Sequence, residues 1–282
     1  LPPTLCRAAL RLAMRWITER CDLGLATASE AARVLHDIGI VRPIEIVPLG
    51  VELDHYREPQ KRLSRRDVGV PESVPLALYL GRLSPEKNAR FLLEALARPE
   101  LAQAHLLLVG DGLERNALES SVRQLHLDGR THFVGQVAAA DIPAYTGLAD
   151  LFVTASKIEM LPVAILEALA AGLPILALDV PWIRPIVQHG VSGMLVQADV
   201  EAFARAWAAL LKDQALRVHL AEGARAASEQ YDLKRTTTLI VAHYERLRAE
   251  RRGHRDGESS CGSSISGGGA YRPAFGHAGS PG

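Results

Sequence analysis

From Val74 onward the chain alternates short, continuous apolar runs with longer stretches whose apolar residues recur every three or four positions. The runs "PLALYLGRL", "HLLLVGDG", "THFVGQV", "DLFVTAS" and "PILAL" predict strands. Between them "PEKNARFLLEALARPEL", "ERNALESSVRQLHL", "AADIPAYTGLA" and "PVAILEALAAG" predict helices. Strands apolar on both faces, each followed by a helix, mean a parallel sheet covered on both sides. The pattern therefore predicts an α/β fold, a doubly wound Rossmann-like domain over residues 74–200 with right-handed crossovers.

The flanks are less regular. "LCRAALRLAMRWITER" reads as a helix from Leu5 to Arg20, with Arg7, Arg11 and Arg15 at four-residue spacing. "CDLGLATAS" reads as a strand, Ser29 as the N-cap of the helix "EAARVLHDIG" and Gly39 as its C-terminal stop. "IEIVPLGV" is a second strand, halted by Pro48, and a polar connector covers residues 58–73. Residues 201–252 predict closing helices. Residues 253–282 are rich in Gly, Ser and Pro, bury too little apolar surface to offset chain entropy, and are expected to be a disordered tail.

Composition narrows the function. A length of 282 residues suggests about two domains. Lys plus Arg and Asp plus Glu both total 32, and this balance argues against a nucleic-acid partner. Cys6, Cys21 and Cys261 are scattered, which suggests neither a disulfide framework nor a zinc site and fits a reducing, cytoplasmic setting. No apolar run approaches the ~20 residues of a membrane span. The chain opens on Leu1 with no signal-peptide pattern, and reads as a fragment or a processed chain.

In an open α/β sheet, ligands bind beyond the carboxyl ends of the strands. The segments to inspect are therefore "GRLSPEKN", "GDGLER", "GQV" and "SKIEMLP". In the first, Gly81 permits a close turn, and Arg82 and Lys87 together suit a diphosphate, a fork donor beside a point charge. Either cation alone is read more simply as a solvated surface residue. "GDGLER" lacks the third glycine of a dinucleotide fingerprint, and no clear acidic residue ends the next strand. Gly110 and Gly112 either admit a flat ligand to the backbone or make a tight turn. Pro162 suits the first position of a helix and Gly172 the position past its end. That places Glu159 in the loop before the helix, where N–H groups and the dipole attract anions, and Glu167 about a turn and a half inside it. Glu167 alone reads as a surface helix glutamate, but its apolar neighbours argue partial burial and a need for a donor such as a sugar or ribose hydroxyl.

Together these stretches resemble glycosyltransferase family 4, retaining enzymes of the GT-B fold that use nucleotide sugars, in their C-terminal half. "VPLGVELDHY", "LYLGRLSPEKN", "LLLVGDGLER", "HFVGQV", "ADLFVTASKIEMLPVAILEALAAGLPILA" and "HGVSGMLV" carry the likeness, in order, and Glu159 and Glu167 form its E-x7-E motif. The resemblance implies that Arg82, Lys87 and Glu159 carry catalysis, the cations neutralising the diphosphate and Glu159 holding donor-sugar hydroxyls. Glu167 would take the ribose hydroxyls, and Gly135, Gln136 and Val137 the base edge. Gly81, Gly110, Gly112, Leu161, Pro162 and Val163 complete the implied donor site. No metal and no cofactor are implied beyond a UDP- or GDP-sugar donor. Residues 1–57 would be a remnant of an N-terminal, acceptor-side Rossmann-like domain, so that the acceptor half is incomplete.

The expected function is transfer of a hexose, with retention, to a lipid or glycan acceptor in glycolipid or polysaccharide biosynthesis. Residues 5–56 are similar to lipid-directed members such as diacylglycerol glucosyltransferases. The cationic amphipathic first helix suits the anionic inner face of a membrane, although it reads somewhat more simply as a surface helix of the lost domain. Two positions depart from the pattern: Met160 stands where Gly usually follows the first glutamate, and Leu49 where the family has Asn. Rival readings are a module that captures nucleotide sugars without transferring them, and a nicotinamide-dependent oxidoreductase, which the incomplete glycine fingerprint disfavours.

Overall fold

The computed structural model describes residues 3–40, 42–159 and 162–261. Two compact units divide the chain, Leu1–Leu239 and Ile240–Gly282. Six parallel strands form the main sheet: β3 (Leu76–Leu80), β4 (His105–Val109), β5 (Thr131–Gly135), β6 (Leu151–Thr154), β7 (Ile175–Leu178) and β8 (Gly193–Val196). Two more, β1 (Gly24–Ala26) and β2 (Ile44–Ile46), pair in parallel as a separate sheet. The helices are α1 (Pro3–Thr18), α2 (Ser29–Asp37), α3 (Leu53–Arg57), α4 (Ala89–Leu96), α5 (Arg115–Gln124), α6 (Ile142–Thr146), α7 (Val163–Ala170), α8 (Val200–Lys212), α9 (Gln214–Ser228) and α10 (Leu233–Cys261).

The main sheet runs β5-β4-β3-β6-β7-β8, all neighbours parallel. This is the doubly wound order of a dinucleotide-type fold, reversing direction between β3 and β6. The period-2 geometry of a strand explains how one apolar run serves two cores. Ala77, Tyr79, Leu106 and Leu108 face a core closed by α4, α5 and α8 with Phe203 and Trp207. Leu76, Leu78, Leu80, Leu107 and Phe152 face the other, closed by α7 through Ile165, Leu166 and Leu169.

Several boundaries differ from the sequence expectation. The run "PEKNARFLLEALARPEL" is a 3-10 turn at Pro85–Lys87, then α4, then a second 3-10 turn at Pro99–Leu101. Asn88 takes a left-handed φ of 55°, which an α-helix excludes, so the helix begins after it. Ser29 is the first residue of α2 rather than its cap, and Ala28 at the N-cap offers no side-chain bond. β8 adds a strand the apolar pattern did not single out. Within the 58–73 connector, Arg65 donates to the carbonyls of Leu148 and Val74 and pairs with Asp150. Its Leu63 and Val68 lie against the main core.

α10 continues to Cys261, so residues 253–261 of the expected tail are helical; residues 262–282 lie outside the described part. Met160 and Leu161 also lie outside it. Among the described residues, no helix is long and apolar enough to cross a membrane.

Candidate functional site

A cleft of about 500 Å³ opens beyond the carboxyl ends of β3, β4, β5 and β6, at the reversal of strand order. Its size is that of a small-molecule site.

The first wall is the turn after β3. Gly81, at φ 147°, swings the chain out of the sheet, and buried Tyr79 donates its hydroxyl to the Arg82 carbonyl at 2.8 Å, fixing that backbone. Arg82 is exposed on the wall, its guanidinium without hydrogen bond or ion pair among the described residues. Lys87 ends the following 3-10 turn and points into the cleft.

Two glycines are dictated by the neighbouring backbone. A Cβ on Gly110 would fall 1.9 Å from the Gly81 carbonyl oxygen, and one on Gly112 would fall 2.2 Å from that of Leu83. The loops after β3 and β4 therefore pack main chain against main chain. Gly110 still lines the cleft with Asp111, whereas Gly112 sits behind the wall. Gly135, at φ 85°, also stands behind it, turning the chain so that Gln136 and Val137 reach the wall.

The two glutamates enter from the opposite side. The loop after β6 is stitched to the turn after β3, because the Lys157 N–H donates to the Glu86 carbonyl at 3.0 Å. Trp182 Nε1 donates to the Lys157 carbonyl at 3.2 Å. This places Glu159 so that Lys87 Nζ donates to both of its carboxylate oxygens, with side-chain exposures of 22% for Lys87 and 13% for Glu159.

α7 begins at Val163, not at Pro162, whose ψ of 47° is not helical; the Pro162 carbonyl instead receives the Ile165 and Leu166 N–H groups. Pro162, Val163 and Glu167 all line the cleft. Glu167 is half-buried, and its Oε1 accepts the Tyr56 hydroxyl at 2.8 Å. Burial pushes its carboxyl above the usual range, and the Tyr56 bond offsets part of that rise.

Of the residues singled out from the sequence, the structure brings ten onto this one cleft: Gly81, Arg82, Lys87, Gly110, Gln136, Val137, Glu159, Pro162, Val163 and Glu167. Leu161 falls outside the described residues. Sequence reasoning missed Tyr56, Tyr79, Asp111 and Thr154. Tyr56 carried one signal, an aromatic residue within the largely polar stretch "DHYREPQKR". Among the described residues, no group of three or more His, Cys, Asp or Glu could hold a metal ion.

Comparison with known proteins places this geometry. Residues 60–227 match the family described as Glycosyl transferases group 1. A D-inositol 3-phosphate glycosyltransferase from Geodermatophilus obscurus is 34% identical over 241 residues, 81% of this chain and 53% of that protein. The chain thus spans about half the length of the curated relatives it matches. Among solved structures, a sucrose-phosphate synthase from Thermosynechococcus elongatus superposes with a TM-score of 0.74 at 25% identity, over 85% of this chain and 62% of that one. Anabaena Alr3699/HepE in complex with UDP-glucose also gives 0.74, at 24% identity, over 87% and 70%, and shares the fold. The motif order, the sheet and more than half of the chain's length agree, and the chain belongs to the glycosyl transferases group 1 family.

Proposed function

We propose that the cleft binds a nucleotide diphosphate sugar and that the chain supplies the donor half of a retaining, metal-independent hexosyltransferase of glycosyltransferase family 4. One observation carries this reading. Arg82, Lys87, Glu159 and Glu167 converge on a single cleft at the switch point, two cations and two carboxylates within reach of one ligand. Arg82 and Lys87 would neutralise the diphosphate, whose charge grows as the anomeric C–O bond breaks, and such stabilisation lowers the barrier selectively. At the start of α7 the Val163 and Ala164 N–H groups, which precede the first bonds to the Pro162 carbonyl, add donors for an anion. Lys87 would exchange Glu159 for a phosphate oxygen, freeing Glu159 for sugar hydroxyls. Glu167 would accept ribose hydroxyls, and Gln136 with Val137 would meet the base.

In the transfer step, an acceptor hydroxyl oxygen bonds to the anomeric carbon on the face the phosphate leaves. Its proton passes to the departing phosphate oxygen. The UDP-glucose complex of the structural relative supports a UDP-sugar over a GDP-sugar. The acceptor is read as a lipid or glycan. We assign the chain to the cytoplasm, at the inner membrane face: on α1, Leu12 and Trp16 are 70% and 60% exposed beside Arg11 and Arg15, a cationic apolar surface suited to anionic lipid.

The second reading is a module that binds nucleotide sugar without transfer. It is favoured by β1 and β2 being only a two-stranded sheet, too small to position an acceptor. Acceptor positioning supplies roughly 7–11 kcal/mol of barrier lowering. Transfer of labelled hexose to lipid and glycan panels, with chelator present, tests both readings. The expected result for the 282-residue polypeptide is donor binding with transfer far slower than donor binding. An inverted product or chelator-sensitive transfer would overturn the retaining, metal-independent mechanism; brisk transfer would overturn the module.

A further inference from the structure

One hydroxyl reaches a carboxylate of the cleft, Glu167, from a segment that contributes no strand to the main sheet. α3 is held on both sides by the chain's return past Tyr231. The Val51 N–H donates to the Tyr231 carbonyl at 2.8 Å, and the Val51 carbonyl accepts the Leu233 N–H at 3.0 Å. Asp54 pairs with Lys234 at 2.8 Å, and Arg57 pairs with Glu229. So fixed, α3 lies against α6 and α7, and Tyr56 meets Glu167 across 111 residues of sequence.

The chemistry of this contact is directional. Burial, and then the nearby Glu167 charge, push the Tyr56 phenol well up, so it stays a donor at any working pH. It takes one oxygen of Glu167, and no other side chain among the described residues donates to that carboxylate. The terminal torsion of a glutamate is broad, so an untethered carboxylate would rotate freely within the cleft. Phenylalanine would fill the same space without holding that rotation.

We propose that Tyr56 is a positioning residue for nucleoside recognition: by donating to Oε1 it orients the Glu167 carboxylate and presents Oε2 to the vicinal hydroxyls of a ribose. This rests on the cleft taking a nucleotide diphosphate. It goes beyond that reading by placing a determinant of ribose preference on the segment that joins the two-stranded unit to the main sheet.

The test is Tyr56→Phe, alone and combined with Glu167→Gln, titrated with UDP and with 2′,3′-dideoxy-UDP, and with the GDP pair in parallel. The wild-type protein is expected to prefer the ribonucleotide. Tyr56→Phe should weaken ribonucleotide binding about tenfold while changing dideoxynucleotide binding less than about twofold. In the Glu167→Gln background, Tyr56→Phe should add almost nothing, because the two side chains act as one unit. Equal losses for both nucleotides, or additive losses in the double variant, would mean that Tyr56 only supports the fold, and would overturn the proposal. If wild-type protein binds neither UDP nor GDP, the functional reading fails first and takes this proposal with it.

Discussion

Removing Lys87 tests the charge arrangement of the cleft in two independent ways. Its ammonium donates to both oxygens of Glu159, and both side chains are largely covered, at 22% and 13% exposure. Two charges about 4 Å apart attract by ~4 kcal/mol at an effective dielectric of ~20, and desolvation offsets part of that. Lys87→Ala leaves the Glu159 carboxylate covered and unpaired, a loss of about 2 kcal/mol once the partial exposure of the pair is allowed for. At ~2–4 °C per kcal/mol for a domain of this size, the melting temperature should fall by roughly 4–8 °C. Glu159→Ala strands the lysine in turn, and the double variant should recover much of the loss. The coupling should therefore be ~1–2 kcal/mol in a urea double-mutant cycle. Calorimetry supplies the second readout: Lys87→Ala should weaken UDP at least tenfold and leave uridine nearly unchanged, because one charge-assisted contact to phosphate is gone. Additive stability losses would show that the pair does not hold the two loops together. Equal losses for UDP and uridine would refute a diphosphate role for Lys87.

Three further outcomes follow from the same packing. Burial raises the Glu167 carboxyl, so its native pKa lies above the unfolded one; native stability is fully present below the unfolded pKa and falls as pH rises through the native value. Glu167→Gln should therefore melt higher than wild type at pH ~7–8, with the gain vanishing as pH drops below ~4.3, while UDP affinity is lost; a gain that grows toward low pH would contradict the assignment. Gly110→Ala places a Cβ 1.9 Å from the Gly81 oxygen at a φ of 133° and should cost ~2–4 kcal/mol in urea unfolding, whereas Gly129→Ala, with open space around its Cβ, should be near neutral. Arg82→Ala removes a cation that carries no ion pair among the described residues, so it should weaken UDP without lowering the melting temperature. A drop of several degrees would mean that Arg82 serves the fold.

The parallel sheet was legible because each central strand is an unbroken apolar run, and only burial on both faces calls for that. β8 was not, since "GMLV" is short, opens on a glycine and is only partly covered. The single long helix read after β3 failed at Asn88, where a left-handed residue divides a turn from α4 in a way apolar periodicity does not register. That most site residues line one cleft was legible from their place after each strand, but their pairings were not. Lys87 with Glu159 and Tyr56 with Glu167 lie 72 and 111 residues apart. Such contacts depend on how loops from separate strands close on one another, and local pattern carries no term for that distance. The two glycines of "GDGLER" were read as a choice between ligand approach and tight turn. Neighbouring main chain demands both, and one of them also lines the cleft.

The central claim is that one cleft reads a diphosphate and a nucleoside together. Calorimetric titration of the 282-residue polypeptide with UDP-glucose, GDP-mannose and NAD, repeated on Arg82→Ala/Lys87→Ala, tests it most directly. The account predicts saturable one-to-one binding of a nucleotide sugar, UDP-glucose before GDP-mannose, no comparable heat with NAD, and at least a tenfold loss in the double variant. Tight NAD binding, or nucleotide-sugar binding indifferent to both substitutions, would contradict it.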